Sequence, residues 1–326
     1  MALTDITIPA PIDEENYFAE MENKVIPELM KNGGDDYFTS FDGKKIHYRY
    51  FISNCPKATV VISHGFTEFG EKFDEMAYYF HISSFNVFVI DHRGHGYSHR
   101  HVENPSVSHI NRFDDYVSDF HCFINKVVLP ASEGLPLYLY AHSMGGAVGI
   151  LYLQRHSNVF DRALLTAPMV YPQTAGVPSW LTKIMTKAFS LFGQSKKMVF
   201  VHKEYDPDPP FESSNATSKA RFDYYISLRR GDEHYHNSAA SYKWVSESLK
   251  IPKEMLKDSN CKKIKAKVLL LQAEKDKSVK TEMQDLFVRK VPGAEIFKIP
   301  DSKHEIFLSS NDALKIYLEK IFSFFN

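Results

Sequence analysis

The chain has 326 residues, 44% of them hydrophobic, with 39 lysines and arginines against 40 aspartates and glutamates. That length suits one large α/β unit carrying an insertion, and the apolar content is enough to bury a sizeable core. The near-zero net charge gives no global electrostatic reason to expect nucleic acid.

In chain order, the opening residues MALTDITIPAPIDEENYF carry neither a basic start nor an apolar segment, which predicts no signal peptide. Residues 13–31 have the spacing of an amphipathic helix, interrupted near Pro27. Residues 37–41 and 46–52 read as paired strands around the turn residues Asp42 and Gly43. A rhythm then begins. The apolar runs ATVVISHG (58–65), FNVFVIDH (85–92), PLYLYAH (136–142) and RALLTAP (162–168) each end in a polar or small residue. Between them, 71–83, 112–129 and 143–156 have helical spacing. Strands apolar on both faces and alternating with helices predict a mostly parallel sheet covered on both sides, an α/β fold.

The rhythm stops after Pro168 and resumes at AKVLLLQAEKD (266–276). The gap is roughly 100 residues, where connections of about 2–6 are usual in such folds. It contains helical patterns at 177–193, 214–230 and 238–250, so 169–260 is expected to be a helical cap or lid. The core is then expected in two parts, 1–168 and 261–326. The second part carries a strand at 267–273, a helix at 281–290, a strand at 294–299 and a helix at 310–323. No run reaches the ~18 apolar residues that cross a bilayer. Cys55, Cys122 and Cys261 form no disulfide framework and no metal-ligand spacing, which suits a reducing compartment. A cytoplasmic protein is expected, with peripheral contact at the inner membrane face as its one membrane role.

Chemistry concentrates at Ala141-His142-Ser143-Met144-Gly145, one step from Gly-x-Ser-x-Gly. A strand precedes it and a helix follows, the context in which a serine sits on a sharp, strained turn with small neighbours on both sides. Such a turn lifts the hydroxyl beyond the carboxyl edge of the sheet and sets it at a helix N-terminus. Read blandly, Ser143 is an N-cap, but the flanking small residues favour a nucleophile. A serine needs a base, and the base an orienting acid. The order nucleophile, acid, base along the chain selects Ser143, Asp276 and His304, the last two just past late strands. Glu274 competes as the acid but follows its strand too closely. A developing oxyanion needs two donors. The backbone N–H of Met144 is one, and the loop SHGFTEFGEKF offers Phe66 as the other, with Gly65 allowing close approach. His64 is expected to shape that loop. DHRGHGYS (91–98) reads as a tight turn in preference to a metal site, and HRHVENPSVSHIN (99–111) as a polar loop.

The segments HGFTEFGEKF, DHRGHGYS, AHSMGGAVGILYLQRH, LTAPM, LLLQAEKD and KHEIF, in this order, resemble the α/β-hydrolases of the monoglyceride lipase and lysophospholipase group. NRFDDYVSDF, LQRHSNVFDRALLTAPM, YKWVSES and LLLQAE resemble in particular the bacterial lysophospholipase subgroup of the L-two type, and the likeness spans about residues 37–323. It implies Ser143 as nucleophile, Asp276 as acid, His304 as base, and Phe66 and Met144 at the oxyanion hole, with no cofactor. Ala141 departs from the usual first glycine, and AEKD from a glycine-led acid loop.

The implied substrate is a single-chain lipid ester, a lysophospholipid first, with monoacylglycerols and short-chain esters or thioesters as alternatives. Epoxide-opening relatives need an acidic nucleophile, which Ser143 is not. A non-catalytic binding protein is the reading from another class, and the intact triad pattern opposes it. In the insertion, Trp180, Leu181, Ile184, Met185, Ala188 and Phe189 share one helical face, with Lys183 and Lys187 between them. That face reads equally as a lipid-touching lid and as a helix packed on its own domain.

Overall fold

The computed structural model describes residues 8–174 and 176–325, the side chains of Lys187, Ser190 and Leu191 apart. After a leading helical stretch, the strands follow in chain order: β1 (Gly33–Thr39), β2 (Lys45–Phe51), β3 (Ala58–Ser63), β4 (Phe85–Ile90), β5 (Val107–Ser108), β6 (Leu137–His142), β7 (Arg162–Thr166), β8 (Ala239–Ala240), β9 (Lys267–Ala273) and β10 (Glu295–Ile299). Eight of them form one sheet in the order β1-β2-β4-β3-β6-β7-β9-β10. β1 and β2 pair antiparallel, β2 joins β4 antiparallel, and from β4 to β10 all pairs are parallel.

The continuous apolar runs have a direct cause. β3, β4 and β6 are buried along their whole length, because helices cover both faces of the sheet. Side chains alternate between two cores. Val60 and Ile62 face one core with residues of the helices Asp74–Ile82 and Asn311–Phe325. Val61 and Leu139 face the other, with the helices Asp114–Phe123 and Ser143–Arg155. From β3 the chain steps to β4 on one side, then returns to lay β6 on the other. This reversal opens a crevice beyond the carboxyl ends of β3 and β6, where open α/β sheets bind ligands.

Three expectations change. β1 begins at Gly33, not at 37, because the turn-like Gly-Gly-Asp-Asp pairs with Tyr48–Phe51 of β2. An added Cβ on Gly33 would lie 2.4 Å from Leu29 O, so only glycine admits this approach. The leading helix is not broken at Pro27. It runs from Tyr17 to Met30 through a widened π-turn at Met21–Val25, which accommodates the proline's missing N–H. The same device precedes Pro130, at Ile124–Val128. Finally, 99–111 is no solvated loop. Within it Ser106, Ser108 and His109 are buried, and β5 pairs in parallel with β8.

Between β7 and β9 the chain leaves the sheet and forms the helices Ser179–Leu191, Lys219–Gly231 and Tyr242–Ser248, then short turns at Pro252–Met255 and Asp258–Cys261. The second helix starts at Lys219, where Ser218 Oγ accepts the Arg221 N–H at 3.3 Å. The third starts at Tyr242, where Ser241 Oγ accepts the Trp244 N–H at 3.1 Å. Both are side-chain N-caps, and they start the helices later than apolar spacing suggests.

Candidate active site

Ser143 follows the last residue of β6 and opens the helix Ser143–Arg155 with a backbone φ of 50°. A left-handed angle is uncommon for a residue with a Cβ, and the surroundings impose it. A Cβ on Gly145 would lie 2.1 Å from Ser63 O and 2.5 Å from His64 O, so the helix can start this close to β3 only with glycine there. Gly65 lies opposite, and a Cβ on it would meet the Ser143 Cβ at 3.0 Å. Small residues thus bring the serine and the loop after β3 into contact.

His304 lies in the loop after β10, and its Nε2 is 2.8 Å from Ser143 Oγ. Its Nδ1 is 2.7 Å from Asp276 Oδ2, in the loop after β9. The other carboxylate oxygen, Oδ1, accepts the N–H groups of Ser278 at 2.8 Å and Val279 at 3.1 Å. Burial raises the Asp276 pKa, but the His304 hydrogen bond and charge and the two backbone donors outweigh it and leave the acid below its ordinary value. An ionised carboxylate only accepts, so His304 Nδ1 carries the proton and Nε2 is free to accept from the serine. Burial lowers the His304 pKa, while the Asp276 hydrogen bond and charge raise it further, so the net shift is upward. Glu274 is exposed and turned away, accepting the Asp301 N–H at 2.9 Å. A hydroxyl, an imidazole and a buried carboxylate in this series can activate the oxygen as a nucleophile.

Met144 stands in the first turn of its helix, where N–H groups have no intrahelical acceptor. Phe66 lies across from it on the loop after β3, in the wall of the same cavity as Ser143. His64 is fully buried and accepts the His92 N–H on Nε2 at 3.0 Å. Its Nδ1–H therefore donates to Gly65 O, 2.7 Å away. Burial lowers its pKa, so it stays neutral and holds the loop. In DHRGHGYS, Asp91 accepts the Gly70 N–H at 2.7 Å and the Tyr97 N–H at 3.2 Å, and lies 2.7 Å from His47 Nδ1. That carboxylate braces two loops.

Above Ser143 is a cavity of about 410 Å³, within the range of small-molecule sites. Its walls are mainly apolar, with Met169, Met185, Val199 and Val245 among them, and the rings of Phe66 and Trp244 meet at 4.1 Å. Glu68, Lys277 and Glu305 also line it. The sequence reading leaves these three aside. The Glu-x-x-x-Lys spacing of Glu68 and Lys72 is the one signal that could have marked the first.

An eight-stranded, mostly parallel sheet with a serine at the strand-to-helix turn defines a hydrolase of the α/β-hydrolase fold. The chain belongs to the family described as serine aminopeptidase, S33, whose model matches residues 54–311. It is 30% identical to lysophospholipase L2 of Escherichia coli K12 over 321 residues, covering 96% of this chain and 93% of that protein. It is 32% identical to the human monoglyceride lipase over 141 residues, 41% of this chain and 43% of that one. Among solved structures, a soluble variant of the monoglyceride lipase from Saccharomyces cerevisiae superposes with a TM-score of 0.71 at 18% identity, over 88% of this chain and 93% of that one.

Proposed function

We propose that this protein hydrolyses the carboxylic ester of single-chain lipids, lysophospholipids foremost, through an acyl-enzyme on Ser143. The observation that carries the proposal is His304 Nε2 at 2.8 Å from Ser143 Oγ on the floor of an apolar cavity. Ser143 Oγ attacks the ester carbonyl carbon while His304 takes its proton. Asp276 holds the imidazole and stabilises its charged form. The N–H groups of Met144 and Phe66 receive the oxyanion. The alcohol leaves with the proton from His304. Water, activated by the same histidine, then attacks the acyl carbon, and the fatty acid departs.

Within this reading residues 169–260 are a cap that shapes the cavity. The likeness to lysophospholipase L2 along nearly the whole chain supports the substrate class. Lys277 supports the headgroup, since among the described residues it is the lysine that lines this cavity. Monoacylglycerol hydrolysis is the second reading, favoured by the mainly apolar lining and by the human relative.

The exposed face of the cap supports contact with a lipid surface. Trp180, Ile184, Phe192 and Phe200 are 65%, 58%, 80% and 65% exposed, and Phe200 also lines the cavity. Lys183, Lys196 and Lys197 lie exposed around them, suited to anionic headgroups. The side chain of Lys187 lies outside the described residues.

The test is a fluorophosphonate label located by mass spectrometry, followed by lysophosphatidylcholine and monoacylglycerol of equal chain length. Label on Ser143, lost in Ser143→Ala, with faster fatty-acid release from the phospholipid is the expected result. Activity retained in Ser143→Ala would sink the mechanism. Lys277→Ala is expected to slow the lysophospholipid reaction and spare the glyceride. Equal slowing of both would remove the phosphate role.

A further inference from the structure

Lys72 lies in the short turn Gly70–Phe73, and its side chain is 1% exposed. Lysine is almost never buried without partners. Here the ammonium is 3.0 Å from Glu68 Oε1 and 2.8 Å from Glu305 Oε1. The rings of Tyr225, from the helix Lys219–Gly231, and Phe307 lie 4.1 and 5.6 Å away. Burial disfavours the charged amine, but the two carboxylates outweigh it and hold Lys72 protonated.

Each carboxylate belongs to a different arm of the site. Glu68 Oε2 accepts the Gly65 N–H at 2.5 Å and so holds the loop that presents Phe66. Its Oε1 lies 3.5 Å from Nε2 of His142, the residue before Ser143. Glu305 directly follows His304, and its N–H donates to Asn215 O at 3.1 Å.

We propose that Lys72 is a positioning residue for the hydrolysis, clamping the loop after β3 to the loop after β10 and offsetting the charge of Glu68 and Glu305 beside His304. The inference rests on the nucleophile–base–acid reading above. Among the described residues, four titratable groups face His304, and Lys277 lines the same cavity. Asp276 comes from the loop after β9, Glu305 from its own loop and Glu68 from the loop after β3. His142 comes from the end of β6, its ring 5.0 Å away and kept neutral by burial. Behind the opposed effects of burial and Asp276, Glu305 and Glu68 both favour protonated His304. Among the described residues, Lys72 is the lysine or arginine paired with those two carboxylates.

The test is the pH dependence of kcat/KM on a soluble short-chain ester. Lys72→Met leaves two carboxylates without their cation, so the acid limb moves to higher pH and kcat falls by about 10²-fold as the loops lose register. Glu305→Gln keeps an acceptor for Lys72 but removes a charge, so its acid limb moves to lower pH. Lys72→Arg restores the wild-type limb. Opposite shifts in the first two variants are the expected result. Acid limbs that coincide with wild type, or move the same way, overturn the proposal even if rates fall. Should Lys72→Met fail to fold, Glu305→Gln decides alone: a lowered limb supports the role and an unmoved one removes it. Wild-type protein that takes no fluorophosphonate at Ser143 would instead remove the underlying function, so the two failures are distinct.

Discussion

A left-handed serine costs about 1–3 kcal/mol of backbone strain, and Ser143 holds that angle at φ 50° because Gly145 and Gly65 leave room for nothing larger around it. In return the hydroxyl stands 2.8 Å from His304. The proposed chemistry requires His304 to be neutral. Its pKa is raised, since Asp276 outweighs burial, so the acid limb of kcat/KM is expected above the ordinary histidine value of about 6.5. A pH–rate profile on a soluble ester checks this, and a limb below that value would contradict the ion-pair geometry. Asp276→Asn keeps the shape of the side chain but lets His304 adopt the wrong tautomer. It is expected to lower kcat by about 10⁴-fold with little change in KM. At this scale much was legible. The elbow pattern is local, five residues in a row, and the order of late polar residues marks Asp276 and His304. The clamp was not legible, because Lys72 and Glu305 stand 233 residues apart and each looks like an ordinary surface charge.

The helix Lys219–Gly231 shows how the inserted segment is held to the rest of the chain. Arg221, 1% exposed, donates through Nε and Nη2 to both oxygens of Glu75, at 2.8 and 2.7 Å. Glu75 also receives the hydroxyls of Tyr17 and Tyr79, at 2.8 and 2.6 Å, and Arg221 Nη2 reaches Ile12 O at 3.2 Å. One guanidinium thus joins the insertion, the helix Asp74–Ile82 and the leading segment. Arg221→Met would strand a buried carboxylate. The expected loss is about 3–5 kcal/mol, read by urea denaturation. A loss under about 1 kcal/mol would mean that water reaches Glu75 in the variant. Periodicity locates this helix but not its role, and it cannot tell that the glycines at the start of β1 are strand or that 99–111 supplies β5. Those placements depend on which backbone comes to lie alongside.

At the scale of the whole molecule, exposed aromatic residues gather in the segment between β7 and β9, and one of them, Phe200, also lines the cavity. No helix among the described residues is long and apolar enough to cross a membrane. The exposed Trp180, Ile184, Phe192 and Phe200 are what support the proposed surface contact with lipid. The double variant Trp180→Ala with Phe192→Ala is expected to reduce co-sedimentation with vesicles containing anionic phospholipid severalfold. Hydrolysis of a soluble short-chain ester should stay unchanged. Unchanged vesicle binding would return these side chains to ordinary surface.

The sequence by itself determined the alternation of strands and helices, the serine on its turn and the order of its partners. These are written in short-range periodicity and in small residues beside a hydroxyl, which physical chemistry reads without knowing the fold. Only the tertiary structure decided that Lys72 joins Glu68 after β3 to Glu305 after β10, and which face of the helix Ser179–Leu191 looks outward. Those depend on burial and on contacts between segments far apart in the chain, which no local pattern records.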